Sequence, residues 1–135
     1  MDREEVIRYI GETYHAAPEY LWSDSPDACI FRHGDNRKWF AIIMNVQRSK
    51  LGLPGEGSAD LMNMKCGPLL SGSFAGKPGI LPAWHMNKTH WLGALLDGTA
   101  SEEDIKALLD LSCSLTRSRK RKARKTENKG MEDDQ

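Results

Sequence analysis

Within ten residues, Pro82-Ala83-Trp84-His85-Met86-Asn87-Lys88-Thr89-His90-Trp91, the chain sets two of its four histidines, two of its four tryptophans, an asparagine and a lone lysine. Three kinds of chemistry are open to such a stretch. As a metal site, His85 and His90 supply two imidazoles, but no nearby Asp, Glu or Cys completes a set of three or four ligands. As a catalytic site, a histidine beside Lys88 offers acid–base work, yet no paired carboxylate or activated nucleophile accompanies it. Ser71 and Ser73 lie in a loop without a nucleophile-elbow pattern. As a turn, the stretch serves structure or binding. Asn87 tolerates left-handed backbone and can bond its own turn, while His85, His90 and Trp91 can tether that turn to its flanks. In binding, Lys88 takes a phosphate or carboxylate, Asn87 a polar edge, and Trp84 or His90 stacks on a base. The expectation is therefore a binding turn, with no catalytic residue, no metal ligand set and no cofactor.

Two further groups of cations invite the same chemistry. Arg32, Arg37 and Lys38 cluster at Gly34-Asp35-Asn36-Arg37, the turn of a predicted hairpin, and form either a solvated tip or a basic wing that tracks a phosphate backbone. After Leu115 comes the dense run Arg117-Ser118-Arg119-Lys120-Arg121-Lys122-Ala123-Arg124-Lys125, followed by an acidic close, Glu132-Asp133-Asp134. The net charge of zero hides this segregation. From Arg117 to Gln135 eight Lys/Arg face four Asp/Glu, a net +4, so the body keeps eleven bases against fifteen acids, a net −4. Nucleic-acid-binding domains more often carry a basic face on the folded part, since phosphate neutralisation drives affinity. The basic tail, expected to be disordered beyond the last helix, suits a non-specific nucleic-acid or acidic-partner contact as well as a solubilising role.

The elements that must position these groups follow from periodicity. Residues 2–16 predict a helix, with Val6, Ile7, Ile10 and Tyr14 at helical spacing, acids at its positive end, and Pro18 to stop it. Strands are expected over 28–32 and 38–46, where Trp39 and Phe40 must face opposite ways if the strand is regular. Trp22 reads as a core anchor. The Gly-, Ser- and Pro-rich segment 48–59 reads as a flexible surface loop without phosphate-loop spacing. A third strand is expected over 60–65; Gly67–Gly79, with four glycines and two prolines, gives no helix signal; 80–84 and 91–96 complete the sheet. Ser101 caps a last helix whose face is Ile105, Leu108, Leu109, Leu111 and Leu115, with Cys113 in the core.

A chain of 135 residues makes one domain able to bury a core unaided. Three cysteines, Cys29, Cys66 and Cys113, without a Cys-x-x-Cys pair argue against a disulfide framework. No apolar run reaches membrane-spanning length, and the acidic start does not open a signal peptide, so a cytoplasmic protein is expected.

The string His85-Met86-Asn87-Lys88-Thr89-His90-Trp91, followed by an apolar strand, Asp97-Gly98 and a Ser/Glu-opened helix, resembles the signature of the MmcQ/YjbR family. Phe31-Arg32 and Lys38-Trp39-Phe40-Ala41 match it as well. The resemblance covers about residues 1–116, leaving 117–135 as a tail. It implies an α+β fold of the CyaY/frataxin kind: an N-terminal helix, about five mainly antiparallel strands and a C-terminal helix packed on one face. It also implies DNA binding without catalysis. The residues expected to carry it are Arg32, Arg37, Lys38, His85, Asn87, Lys88, His90, Arg117, Arg119, Lys120, Arg121 and Lys122. Two other readings stay open. One is a small-molecule or protein-interaction module that uses the same turn as its pocket. The other is a frataxin-like metal binder using Asp2, Glu4, Glu5 and Glu12, although Arg3 and Arg8 interrupt that acidity and hard cations need several converging carboxylates.

Overall fold

Asp2 starts the first helix by a reciprocal pair of bonds. Its carboxylate accepts from the Glu5 amide at 2.9 Å, and the Glu5 carboxylate accepts from the Asp2 amide at 2.9 Å. This capping box satisfies two of the donors that a helix start leaves orphaned. Helix α1 (Arg3–Tyr14) then runs until His15, whose φ of 58° places it in the left-handed region. His15, ahead of Pro18, therefore ends the helix. Val6 and Ile10 on its inner face are fully buried. These coordinates are a computed structural model that describes residues 1–118.

Five antiparallel strands follow: β1 (Cys29–Arg32), β2 (Trp39–Gln47), β3 (Ser58–Lys65), β4 (Ile80–Pro82) and β5 (Trp91–Leu95), in the sheet order β1-β2-β3-β5-β4. Helix α2 (Gly67–Phe74) joins β3 to β4, and α3 (Glu102–Thr116) closes the fold. The α+β architecture expected from the sequence is thus the one observed. Helices α1 and α3 lie together on one face. Tyr14 donates to the Asp110 carboxylate, and the Lys106 ammonium sits 4.8 Å above the Tyr9 ring. Beneath them, Phe31, Ile43, Met62, Met64, Leu92 and Ala94 form the sheet's inner layer.

Strand register fixes which side chains face the helices, and one irregularity matters. Phe31 pairs with Ala41 but Arg32 pairs with Trp39, so Phe40 is the extra residue of a β-bulge. Phe40 turns into the core, against Tyr14 and Phe31, while Trp39 points to the other face and meets Trp22 edge-on at 5.9 Å. The bulge lies in the β1–β2 ladder; the β2–β3 ladder is regular and stops at Ala41 and Met64, one residue short of Phe40 and Lys65. Ser112 of α3 fills the gap, its hydroxyl donating to the Phe40 carbonyl at 2.6 Å and accepting from the Lys65 amide at 2.9 Å.

Ser112 also corrects the expected face of the last helix. The buried residues are Ile105, Leu108, Leu109, Ser112 and Thr116, whereas Leu115 is 46 % exposed. Burying Ile105, Leu108 and Leu109 contributes about 1.5–3 kcal/mol apiece. Two other expectations are overturned. Residues 67–74 do form a helix, started by Pro68 in its first turn, where a missing amide proton costs nothing. The segment after β2 is not a free loop. It opens with a 3-10 turn (Arg48–Leu51) ended by Gly52 at φ 73°, the Arg48 side chain bonds the Pro54 carbonyl at 2.8 Å, and Leu51 and Leu53 pack against Leu61 and Leu95. The sheet's second face is therefore covered by connections, not helices.

Candidate functional site

The β4–β5 connection is held at three points. From Ala83, which is buried, the chain crosses to the outer face of β3, where Asn63 is fully buried between two methionines. The Asn63 amide nitrogen donates to the Trp84 carbonyl at 3.0 Å, and the Trp84 amide donates to the Asn63 side-chain oxygen at 3.3 Å. One side chain thus does what the peptide of a neighbouring strand would do. Next, the Asn87 side-chain oxygen accepts from the Thr89 amide at 2.8 Å, and the Asn87 carbonyl accepts from the His90 and Trp91 amides. This is an Asx turn. Finally, the His90 carbonyl accepts from the Cys66 and Gly67 amides at 2.7 and 3.1 Å, tying the turn to the start of α2.

Anchored in this way, the turn presents its polar side chains outward. His85, Asn87 and Lys88 are exposed, and Lys88 has no partner among the described residues. The left-handed residue is His85, at φ 61°, and not Asn87. The tether is the Asn63 side chain together with the His90 backbone, where the sequence had suggested histidine side chains.

The β1–β2 turn is equally fixed. The Arg37 amide donates to the His33 carbonyl at 3.1 Å, and Arg37 itself is left-handed at φ 65°. Asn36 accepts from the Lys38 amide at 2.9 Å and donates to the Thr116 carbonyl at 2.8 Å, and His33 shares a 2.8 Å bond with the Thr116 hydroxyl. Since that hydroxyl donates to the Ser112 carbonyl, the ring nitrogen of His33 is the donor. Arg37 and Lys38 remain exposed. Arg32 does not join them, because its guanidinium grips Glu19 through two bonds, one of them 2.9 Å. It is a structural ion pair, a correction to its expected place in the basic tip.

The topology brings the two turns to one end of the sheet. Ala41 pairs with Met64 and Lys65 with Trp91, so the start of β2, the end of β3 and the start of β5 are level, and Thr116 at the end of α3 is bonded to the β1–β2 turn. Arg37, Lys38, Lys88 and Arg117 are exposed there. Arg119, Lys120, Arg121 and Lys122 follow Arg117 but lie outside the described residues. The opposite end is acidic, with Asp2, Glu4 and Glu5 at the start of α1, Asp60 and Asp97 in the strand ends, and Glu102, Glu103 and Asp104 at the start of α3. Four of those acids are paired, Asp60 with Arg3, Asp97 with Arg48, Asp104 with Lys77 and Glu102 with Lys106.

Between α1, the β1–β2 turn and α3 lies a cavity of about 480 Å³, with Tyr14, Phe40 and Cys113 inside and His15, Asp110 and Arg117 at its mouth. Burial, and then the Asp110 charge, push the Cys113 thiol up to about 12, and burial, the hydrogen bond to Asp110 and then its charge raise Tyr14. Both therefore stay protonated near neutrality and are poor nucleophiles. Among the described residues, no three His, Cys, Asp or Glu side chains converge as a metal site would need. Glu5 of the first-helix cluster is occupied in the capping box.

Residues 11–115 match the family model described as YjbR. The chain belongs to the YjbR family. A YjbR relative, the uncharacterized protein YyaQ of Bacillus subtilis (strain 168), is 38 % identical over 117 residues, covering 87 % of this chain and 99 % of its own. A crystal structure of a Pseudomonas syringae protein superposes with a TM-score of 0.83 at 41 % identity, over 87 % of this chain and all of that one. A Deinococcus radiodurans protein, at 19 % identity and a TM-score of 0.65, covers all of this chain and 93 % of its own, and shares the fold.

Sequence reasoning missed Asn63 and Ser112, which brace the strands and connections around this site, and Lys50 on the outer face. Asn63 and Ser112 each break an apolar pattern, Met62-Asn63-Met64 in a strand and Leu108-Leu109 to Ser112 along a helix face, and a polar residue at a core position is a signal that something is being bonded. Lys50, which lines the outer face near Trp84 and His85, was hidden by the loop-like composition around it.

Proposed function

We propose that this YjbR-family protein binds nucleic acid without catalysis, at the end of the sheet built from the Asn87–Lys88 turn, the Arg37–Lys38 tip and Arg117, with the basic run that follows it. What supports this reading is that one sheet end collects exposed cations from three separate segments, with Asp35 in the same turn as Arg37, while eight acids gather at the other end. A zero net charge then coexists with a directed field, which orients the basic end toward a polyanion. Five strands about 4.8 Å apart span about 19 Å, the length of about six nucleotide steps at 3.4 Å. The rigid anchoring of both turns suits phosphate contacts that need fixed positions, and His90 beside Lys88 adds a ring for stacking.

The test is anisotropy of fluorescent single- and double-stranded DNA at two salt concentrations. It compares the full chain with Lys88→Ala, with Arg37→Ala/Lys38→Ala, and with Arg119, Lys120, Arg121 and Lys122 all changed to Gln. If the reading holds, the Gln variant still binds, and the turn substitutions weaken binding about three- to tenfold, with the salt slope falling by about one per lost phosphate contact. Binding that vanishes in the Gln variant and ignores Lys88 and Arg37 would make the affinity generic tail electrostatics and remove the turns from the site.

A further inference from the structure

The helix-free face of the sheet carries an elongated cleft that the cationic end does not use. One part, of about 400 Å³, is lined by Ser25, Met44, Val46, Lys50, Trp84 and His85, together with Asn45 and Gln47. A neighbouring hollow of about 240 Å³ shares Ser25, Met44 and Asn45 and adds Asp24 and Asp27. The chemistry changes along its length. Lys50, Trp84 and His85 line the first part alone, Ser25, Met44 and Asn45 line both, and two carboxylates, Asp24 and Asp27, line the second part alone.

We propose that this cleft binds a nucleoside monophosphate. The phosphate is held by Lys50 and His85, the planar base lies along Met44 and Trp84, and the hydroxyl or amino donors of the ligand reach Asp24 and Asp27. Each part of the ligand meets the group that its chemistry requires. The first part of the cleft has an ammonium, an imidazole and no carboxylate among its lining residues, so it selects for an anion. A half-buried indole beside a thioether offers a flat, polarisable surface to a planar ring. The volume is that of a small-ligand pocket, in the usual range of about 300–1,000 Å³.

The backbone gives a second, independent reason. His85 is held at φ 61°, a conformation that costs a non-glycine residue about 1–3 kcal/mol and persists only where its surroundings over-determine it. Here the determining group is the Asn63 amide, which clamps both the N–H and the carbonyl of Trp84, one residue earlier. The consequence of that strain is to fix the Trp84–His85 pair, with ring centroids 4.7 Å apart, at the edge of the cleft. Trp84 and His85 lie in the same β4–β5 connection as Lys88, but none of Arg37, Lys38, Lys88 and Arg117 lines the cleft, so the inference stands apart from nucleic-acid binding at the sheet end.

The experiment titrates the full-length protein with AMP and with UMP, followed by amide chemical shifts and tryptophan fluorescence, with inorganic phosphate as a separate arm. The expected result is saturable binding, with shifts at 24–28, 44–50 and 84–85, at least tenfold tighter than inorganic phosphate. Lys50→Ala, a change at an exposed residue that the fold tolerates, weakens it at least tenfold, while Lys88→Ala leaves it unchanged. Trp84→Leu abolishes the fluorescence response, and Asp27→Asn lowers affinity without moving the phosphate-end shifts. Absence of saturation, equal affinity for inorganic phosphate, or shifts centred on Arg37, Lys38 and Lys88 would each overturn the proposal.

Discussion

Asn63→Ala tests the claim that one buried amide positions the whole β4–β5 connection. The side chain is 0 % exposed and makes two bonds to the Trp84 main chain, at 3.0 and 3.3 Å. Truncation leaves the Trp84 N–H and carbonyl without partners on a partly buried segment, about 1 kcal/mol each at the low end of the range for buried groups. The space vacated adds about 1 kcal/mol of lost packing. The expected loss is about 3 kcal/mol, which for a chain of this size lowers the thermal midpoint by about 10 °C. Urea unfolding gives the first quantity, and hydrogen exchange of the Trp84 amide reports the cause. Asn63→Asp sharpens the test. A carboxylate can still accept from the Trp84 N–H but repels its carbonyl, so burial raises its folded-state pKa above the unfolded one. The stability of that variant then falls as pH rises from the unfolded to the folded pKa, whereas a protonated acid at low pH can donate to the carbonyl. A loss below about 1 kcal/mol in Asn63→Ala, with Trp84 exchange unchanged, would refute the reasoning, because the turn would then be held by its other two anchors.

Ser112→Ala leaves the Phe40 carbonyl and the Lys65 amide unpaired in the core and costs about 2–4 kcal/mol, while Leu115→Ala, at an exposed site, stays within about 0.5 kcal/mol; urea midpoints in the opposite order would contradict the bulge-filling role. Burial alone would raise the Asp60 carboxyl, but bonds from Arg3 and Asn45 and the Arg3 charge outweigh it and hold it below its ordinary value. A folded pKa below the unfolded one gives stability that is complete above the ordinary carboxylate range and lost as pH falls through the folded value. Arg3→Gln is therefore less stable at pH 7 and has a shallower acid limb below about pH 4, and superimposable acid limbs would refute the pairing. Burial raises the thiols of Cys29 and Cys66, and burial with the Asp110 charge takes Cys113 to about 12. Iodoacetamide at pH 8 should thus leave all three unmodified in the native protein and label all three in urea; fast labelling of Cys113 in the folded state would sink this account.

What the sequence made legible were the features with local causes. The acids at the start of the first helix, the cap Ser101, the strands over 28–32 and 60–65, and the apolar face begun by Ile105, Leu108 and Leu109 all follow from chemistry within a few residues. The misreadings involve long-range partners. Segment 48–59 reads as a flexible surface loop by composition, yet Leu51 and Leu53 find Leu61 and Leu95 on the sheet. Leu115 has the spacing of a core residue, but the bulge at Phe40 puts Ser112 and Thr116 inward and leaves Leu115 toward solvent. Arg32 reads as part of a basic tip until the isolated bridge between Glu19 and Ile30 brings the Glu19 carboxylate to it. At the candidate site, the turn residues Asn87 and Lys88 could be named in advance, and the same-end arrangement of the two turns could not, because it depends on the order β1-β2-β3-β5-β4.

That order also separates stability from binding. The helix-covered face holds the large buried cluster from Val6 to Leu109. The other face is roofed by connections pinned by side-chain bonds to backbone, Asn63 to Trp84 and Arg48 to Pro54, while Asn36 pins the β1–β2 turn to Thr116 at the end of α3. A roof built from connections can change its exposed residues without disturbing the core, since only the pinning groups are committed to the fold. Substitutions at Lys50, Lys88, Arg37 and Lys38 should therefore alter binding at nearly constant stability, while those at Asn63, Asn36 and Ser112 should alter stability first and binding through it. Asn36 stands next to Arg37 and Lys38 in the sequence, so the distinction rests on which side chain is bonded into the fold, and not on proximity to the turn.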